Sequence, residues 1–183
     1  MRLFKKIALC MLTLAVGSLS SETWGSYLNS GEPAPNFLVE SGDNQTLSLD
    51  MLRGRVVVLF YESRHVTKKN VELKNELKRL YRAQPANIQK AIFRLLVIDC
   101  SEASWPTAPV WKYKLKENSR KEGFTIYGDW NRKMFADYQM KAEESNFLII
   151  DKQGIIRYSA TGKVDKSQFE KITECLSNLV QEG

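Results

Sequence analysis

An α/β sandwich built on a mixed β-sheet is the fold class this 183-residue sequence predicts, and three features carry that reading. The run Val56–Tyr61, "VVVLFY", is continuously apolar and of strand length, as expected for a central strand covered on both faces. A helical stripe follows, with Leu73, Leu77, Leu80 and Tyr81 at one-face spacing and lysines between them. Near the C-terminus, "NFLIIDKQGIIRYSA" reads as strand, turn and strand, with Asp151–Gly154 as the hairpin loop.

The other elements follow in order. "NFLVE" and "TLSLD" form an extended pair around the turn "SGDNQ". After the central strand, a helix over Thr67–Arg82 is expected, with Thr67 as its N-cap. "QPANIQKA" is a connection with one helical turn, and "FRLLVID" is a second buried strand. Next come a charged helix over Val110–Lys121, a short strand "FTIYGD" and a short helix in "WNRKMFADYQM". A last helix, started by Asp165 or Ser167, buries Phe169, Ile172, Leu176, Leu179 and Val180. No repeat, low-complexity tract or linker interrupts the order β-β-β-α-β-α-β-α-β-β-α, so one domain over 36–183 is expected.

The N-terminus is of a different kind. Met1–Lys6 is basic, Ile7–Val16 is an apolar run short for a bilayer, and "GSLSS" supplies small residues. That is the pattern of a secretory signal peptide over 1–20, with Gly25 as an alternative end. An uncleaved anchor is the competing reading, disfavoured by the shortness of the run and by Thr13 within it. Cys10 follows Leu9 rather than a small residue, which argues against lipidation. Residues 21–35 then form an irregular leader ending in "GEPAPNF".

Composition excludes several functions. The formal charge is +6; loss of Arg2, Lys5 and Lys6 leaves 24 basic residues against 21 acidic ones, about +3. The basic residues alternate with acids along a helix face, so no nucleic-acid footprint is expected. Cys100 and Cys175 are the cysteines of the mature chain; no Cys-x-x-Cys and no zinc-type spacing occurs. Glu143, Glu144, Asp129 and Asp137 lack the alternating oxygen ligands of a calcium loop, so no metal is expected.

The strand–turn–helix after "LRGRVVVLFY" and the "FLIIDKQGIIRY" hairpin before a terminal helix resemble the thioredoxin superfamily, and "GEPAPNF" resembles the lead-in of its exported branch. "SRHVTKKN" and "ADYQMKAEESNFLIIDKQGIIRY" look most like the YtfJ-like family of small secreted bacterial proteins. The resemblance spans about Pro33 to Val180 and implies a three-layer α/β/α sandwich with an N-terminal β extension, exported to the periplasm. It also implies where thiols would stand. Redox-active relatives carry them at the turn and first helical turn, which here hold Val66 and Lys69. Disulfide exchange needs an activated thiolate and a resolving thiol, and peroxidase chemistry of the peroxiredoxin kind needs a cysteine at the same helix start. Neither residue type is present there. The loop before "FLIID", where the superfamily carries a cis-proline, reads "AEESNF" and places Ser145 in that position.

Remaining candidates are few. His65, the one histidine, lies in the turn beside Arg64 and Thr67 as a general base, part of an anion site, or simply an exposed loop residue, the last being favoured. Ser63 and Asp99 complete no convincing triad with it. Cys100, at the C-terminal end of a strand, is either a single redox thiol or a small buried apolar residue. A Cys100–Cys175 bridge is geometrically disfavoured, because Cys175 lies about 10 residues, or ~15 Å, into a helix. Trp105, Trp111, Trp130 and Tyr127 either line a groove or pack beneath loops. The expectation is a monomeric, cofactor-free binding module without dithiol chemistry. Its protein or small-molecule partner would meet Arg64, His65, Val66, Thr67, Lys69 and Ser145. The alternative is a single-thiol redox or peroxide-responsive protein using Cys100.

Overall fold

The computed structural model describes residues 30–181; the signal peptide expected over 1–20 and most of the leader expected over 21–35 lie outside the described residues. Seven strands among the described residues form one sheet in the order β2-β1-β5-β4-β3-β6-β7. They are β1 (Leu38–Ser41), β2 (Thr46–Ser48), β3 (Val56–Glu62), β4 (Ile92–Asp99), β5 (Ile126–Asp129), β6 (Asn146–Ile150) and β7 (Ile156–Thr161). The helices are α1 (Val71–Ala83), α2 (Ala86–Ala91), α3 (Ala108–Glu122), α4 (Lys133–Asp137) and α5 (Lys166–Gln181). β3, β4 and β5 run parallel, while β6, β7, β1 and β2 are joined antiparallel, so the sheet is mixed as the sequence predicts.

β3 is buried at every position. Its side chains alternate, because successive residues of a strand point to opposite faces. Val57, Leu59 and Tyr61 pack with Phe37, Leu49, Leu52, Met134 and Tyr138, so α4 and the N-terminal segment form one covering layer. Val56, Val58 and Phe60 meet Leu73 and Leu77 of α1 and Ile172 and Leu179 of α5, the opposite layer. Phe60 and Phe147 sit in register on β3 and β6, ring centroids 4.8 Å apart. Such pairs contribute about 0.5–1.5 kcal/mol beyond burial. α3 joins the same layer further along the sheet, with Leu115 packed against Ile98, Cys100 and Ile126.

Two local devices match their sequence signals. Asp165 and Gln168 form a reciprocal capping box before α5: the Gln168 amide donates to Asp165 Oδ1 (2.8 Å) and the Asp165 amide to Gln168 Oε1 (2.9 Å). In the β6–β7 turn, Asp151 Oδ1 accepts from the amides of Gln153 and Ile155, and Gly154 takes φ +82°. The end of the leader is not wholly irregular: the Gly31 and Ala34 amides bond the carbonyls of Ile156 and Gly154, which anchors the segment to the hairpin.

Two expectations need correction. Thr67 is not the N-cap of α1, which begins one turn later with Asn70 in the cap position. The intervening residues close as tight turns, with Val66 N–H on Ser63 O, Lys69 N–H on Val66 O and Thr67 Oγ1 on Arg64 O. Leu80 and Tyr81 do not seal α1 against the sheet; both are half-buried, and so are Leu176 and Val180 of α5.

Candidate functional site

The candidate site lies where β3 ends and the 63–70 turn leads into α1, facing the loop that enters β6. The end of β3 determines its chemistry. Glu62 keeps the alternation of Val58 and Phe60, so its carboxylate points under α1 and is 0% exposed. A buried charge survives only if paired and hydrogen-bonded. Lys74 Nζ lies 2.6 Å from Glu62 Oε2, and Ser145 Oγ donates to Oε1 at 2.7 Å. Ser145 in turn accepts from Asn70 Nδ2 at 3.0 Å. Asn70 also donates to Gly162 O, while its Oδ1 accepts the Val164 amide, and Lys74 donates to Thr67 O. Strand, turn, helix and both facing loops are thus joined through Glu62, Asn70, Lys74 and Ser145. Burial pushes the Glu62 carboxyl above the usual carboxylate range, with Lys74 and Ser145 pulling it back.

The sequence-derived residues divide by exposure. Arg64 and His65 are exposed, Thr67 and Lys69 half-buried, and Val66 and Ser145 buried, so the outer surface of the turn belongs to the first four. Arg64 Nε donates to His65 Nε2 at 2.9 Å, and the guanidinium lies 5.4 Å from the Trp111 ring centroid. Lys69 Nζ pairs with Glu144 Oε2 at 2.5 Å, which brings the "AEESN" loop against the turn. Asp99 is bonded to Ser101 and Arg132 instead of His65, so no triad forms.

Cys100 is 0% exposed. Burial, with Asp99 and Asp129 adding repulsion, pushes its thiol up to about 12. Cys175 packs with the core under α5, beyond the cluster that holds Cys100. The aromatic residues form no common groove: Trp111 and Trp130 pack around Cys100, Tyr127 is buried on the opposite face, and Trp105 stands exposed. Beside them, Asp129 accepts from Tyr61 OH (3.1 Å) and the Phe135 amide (3.0 Å), while its Oδ1 is buried without a partner.

Glu62, Asn70 and Lys74 were missed as a unit. One signal was present: Lys74 stands three residues before Leu77, at the edge of an otherwise apolar stripe, and Glu62 closes an apolar strand. Their meeting depends on how α1 lies over β3. Among the described residues, no group of His, Cys, Asp and Glu is placed to hold a metal ion.

A parallel strand–turn–helix opposite the loop into an antiparallel strand defines a thioredoxin-like fold, and solved structures agree. A protein described as thiol:disulfide interchange protein DsbE from Chlorobium tepidum matches at 17% identity and TM-score 0.60, over 84% of this chain and 99% of that one. The thioredoxin domain of a thiol-disulfide oxidoreductase from Bacteroides vulgatus matches at 15% and 0.56, over 80% and 96%. A thiol peroxidase from Chromobacterium violaceum matches at 13% and 0.57, over 84% and 89%. Identities this low establish the fold alone. The sequence profile of the AhpC/TSA family matches residues 30–159, and the chain belongs to that family. No curated protein matches it in sequence.

Proposed function

We propose that this chain is an exported, periplasmic thioredoxin-fold module of the YtfJ-like type, which binds a partner and carries out no thiol–disulfide or peroxide chemistry. The observation that supports this is the Glu62–Lys74–Ser145–Asn70 network: the junction that bears reactive thiols in redox relatives here holds a buried, hydrogen-bonded polar cluster. A partner would meet Arg64, His65, Thr67 and Lys69 on the turn, with Glu144 from the facing loop. Thiol chemistry through Cys100 is disfavoured twice over. The sulfur is enclosed, and with the thiol near 12, roughly one molecule in 10⁵ would carry a thiolate at pH 7.

The test has two arms. Purified mature protein should neither accelerate insulin-disulfide reduction by dithiothreitol nor consume peroxide; activity lost on Cys100→Ala would overturn the non-redox reading. For docking, a photo-crosslinking residue replaces His65 in the periplasm, with exposed Glu170 on α5 as the control position. A discrete adduct at His65 alone is expected. Identical labelling at both positions would end the docking proposal.

A further inference from the structure

The half-buried residues of α1 and α5 are not a packing accident at a helix edge. They surround a cavity of about 630 Å³ between α1, α3, α5 and the helix-facing side of β3 and β4. That volume lies within the ~300–1,000 Å³ range of small-molecule sites. Its walls are mostly apolar, with Phe60, Leu80, Leu96, Phe124, Leu176 and Val180 among them.

Arg94 supplies the polar group. In register with Val58 on the neighbouring strand, it points to the helix side of the sheet and lines the cavity. Its guanidinium carbon lies 4.5 Å from the Tyr81 ring centroid and 4.8 Å from that of Phe124, so aromatic faces hold it on two sides. Among the described residues, no carboxylate pairs with it or with the exposed Lys68, whereas Lys74 meets Glu62, Lys78 meets Glu122 and Lys121 meets Glu117. A half-buried guanidinium presents five N–H donors in a planar fork matched to a carboxylate. The lining as a whole has the same bias, with Lys68, Lys74, Lys78, Arg94 and Lys121 against the single carboxylate of Glu122.

An apolar chamber holding one unpaired guanidinium is complementary to an amphiphile with an anionic head and a hydrocarbon tail. We propose that the α1–α3–α5 cavity binds a single-chain fatty carboxylate, the head group on Arg94 and the chain along Leu80, Leu96, Leu176 and Val180. Thr67 and Lys68 of the turn border this cavity, but the proposal does not rest on the docking role proposed for the turn.

The test uses the mature protein and titration calorimetry with laurate, myristate and palmitate below their micellar concentrations. Affinity should rise about fourfold per buried methylene until the cavity is full. Arg94→Met should weaken palmitate at least tenfold and leave hexadecanol unchanged, whereas Arg94→Lys should recover part of the loss. Leu96→Trp, directed into the cavity, should abolish binding of acid and alcohol alike. Thermal unfolding of each variant identifies those that fold, so that only folded proteins are compared. No binding of palmitate by the unmodified protein would overturn the proposal. So would equal affinity for acid and alcohol, or insensitivity to both Arg94→Met and Leu96→Trp.

Discussion

Replacing Lys74 by methionine tests whether the Glu62 network holds the junction together. The exchange roughly conserves side-chain volume but removes the ammonium that lies 2.6 Å from Glu62 Oε2 and 2.8 Å from Thr67 O. Glu62, wholly buried, is then left with the Ser145 hydroxyl as its side-chain hydrogen-bond donor among the described residues. Breaking a buried pair by removing one partner costs about 3–5 kcal/mol. Because the Lys74 side chain is 23% exposed, part of its attraction is already screened, which places the expected loss near the lower limit, about 3 kcal/mol at pH 7. The cost must depend on pH. Without the ammonium, the already raised Glu62 carboxyl rises further, and each unit of additional rise costs about 1.4 kcal/mol where the group is forced to ionise. Toward lower pH, protonation relieves the unpaired charge, so the difference from the parent should be smaller at pH 5 than at pH 7. Urea unfolding of parent and variant at both pH values measures this directly. Glu62→Gln combined with Lys74→Met should recover most of the stability, since no charge is then buried. A loss that is the same at pH 5 and pH 7, or a double variant no more stable than the single one, would refute the reasoning.

Three further outcomes follow from single positions. Burial raises the Asp129 carboxyl, opposed by the Phe135 amide and Tyr61 hydroxyl. Its contribution to stability is therefore present below the unfolded value near 4 and is lost as pH rises through the folded value. The stability of Asp129→Asn relative to the parent should accordingly grow between pH 4 and pH 7 in urea titrations; a constant difference would contradict this. Gly42→Ala should destabilise by about 1–3 kcal/mol in thermal unfolding, because its Cβ would press on the Lys112 carbonyl and come 2.8 Å from the Lys116 amide, both backbone atoms of α3. Asp165→Ala, which opens the capping box of α5, should cost about 1 kcal/mol, and Asp165→Asn much less.

Patterns of local origin were legible in the chain. The buried run of β3, the Asp151–Gly154 turn and the capped start of α5 are each specified by residues within a few positions of one another. Their hydrogen bonds close locally. The start of α1 was misplaced by a turn because Thr67 and Asn70 are both acceptable cap residues. The choice falls to Asn70, whose side chain is engaged across the fold with Ser145, Gly162 and Val164.

The sequence by itself determined the mixed α/β sandwich and the absence of a Cys-x-x-Cys at its junction, since both depend on residue identity and short-range spacing. Only the tertiary structure decided what stands there instead. Glu62 and Ser145 are 83 positions apart, and their hydrogen bond exists because β3 and β6 pair antiparallel with Tyr61 opposite Asn146. It also decided that Leu80 and Tyr81 line a cavity beside Arg94. Helical periodicity tells which face of α1 turns inward, but the space left beneath that face depends on side chains contributed by β4, α3 and α5.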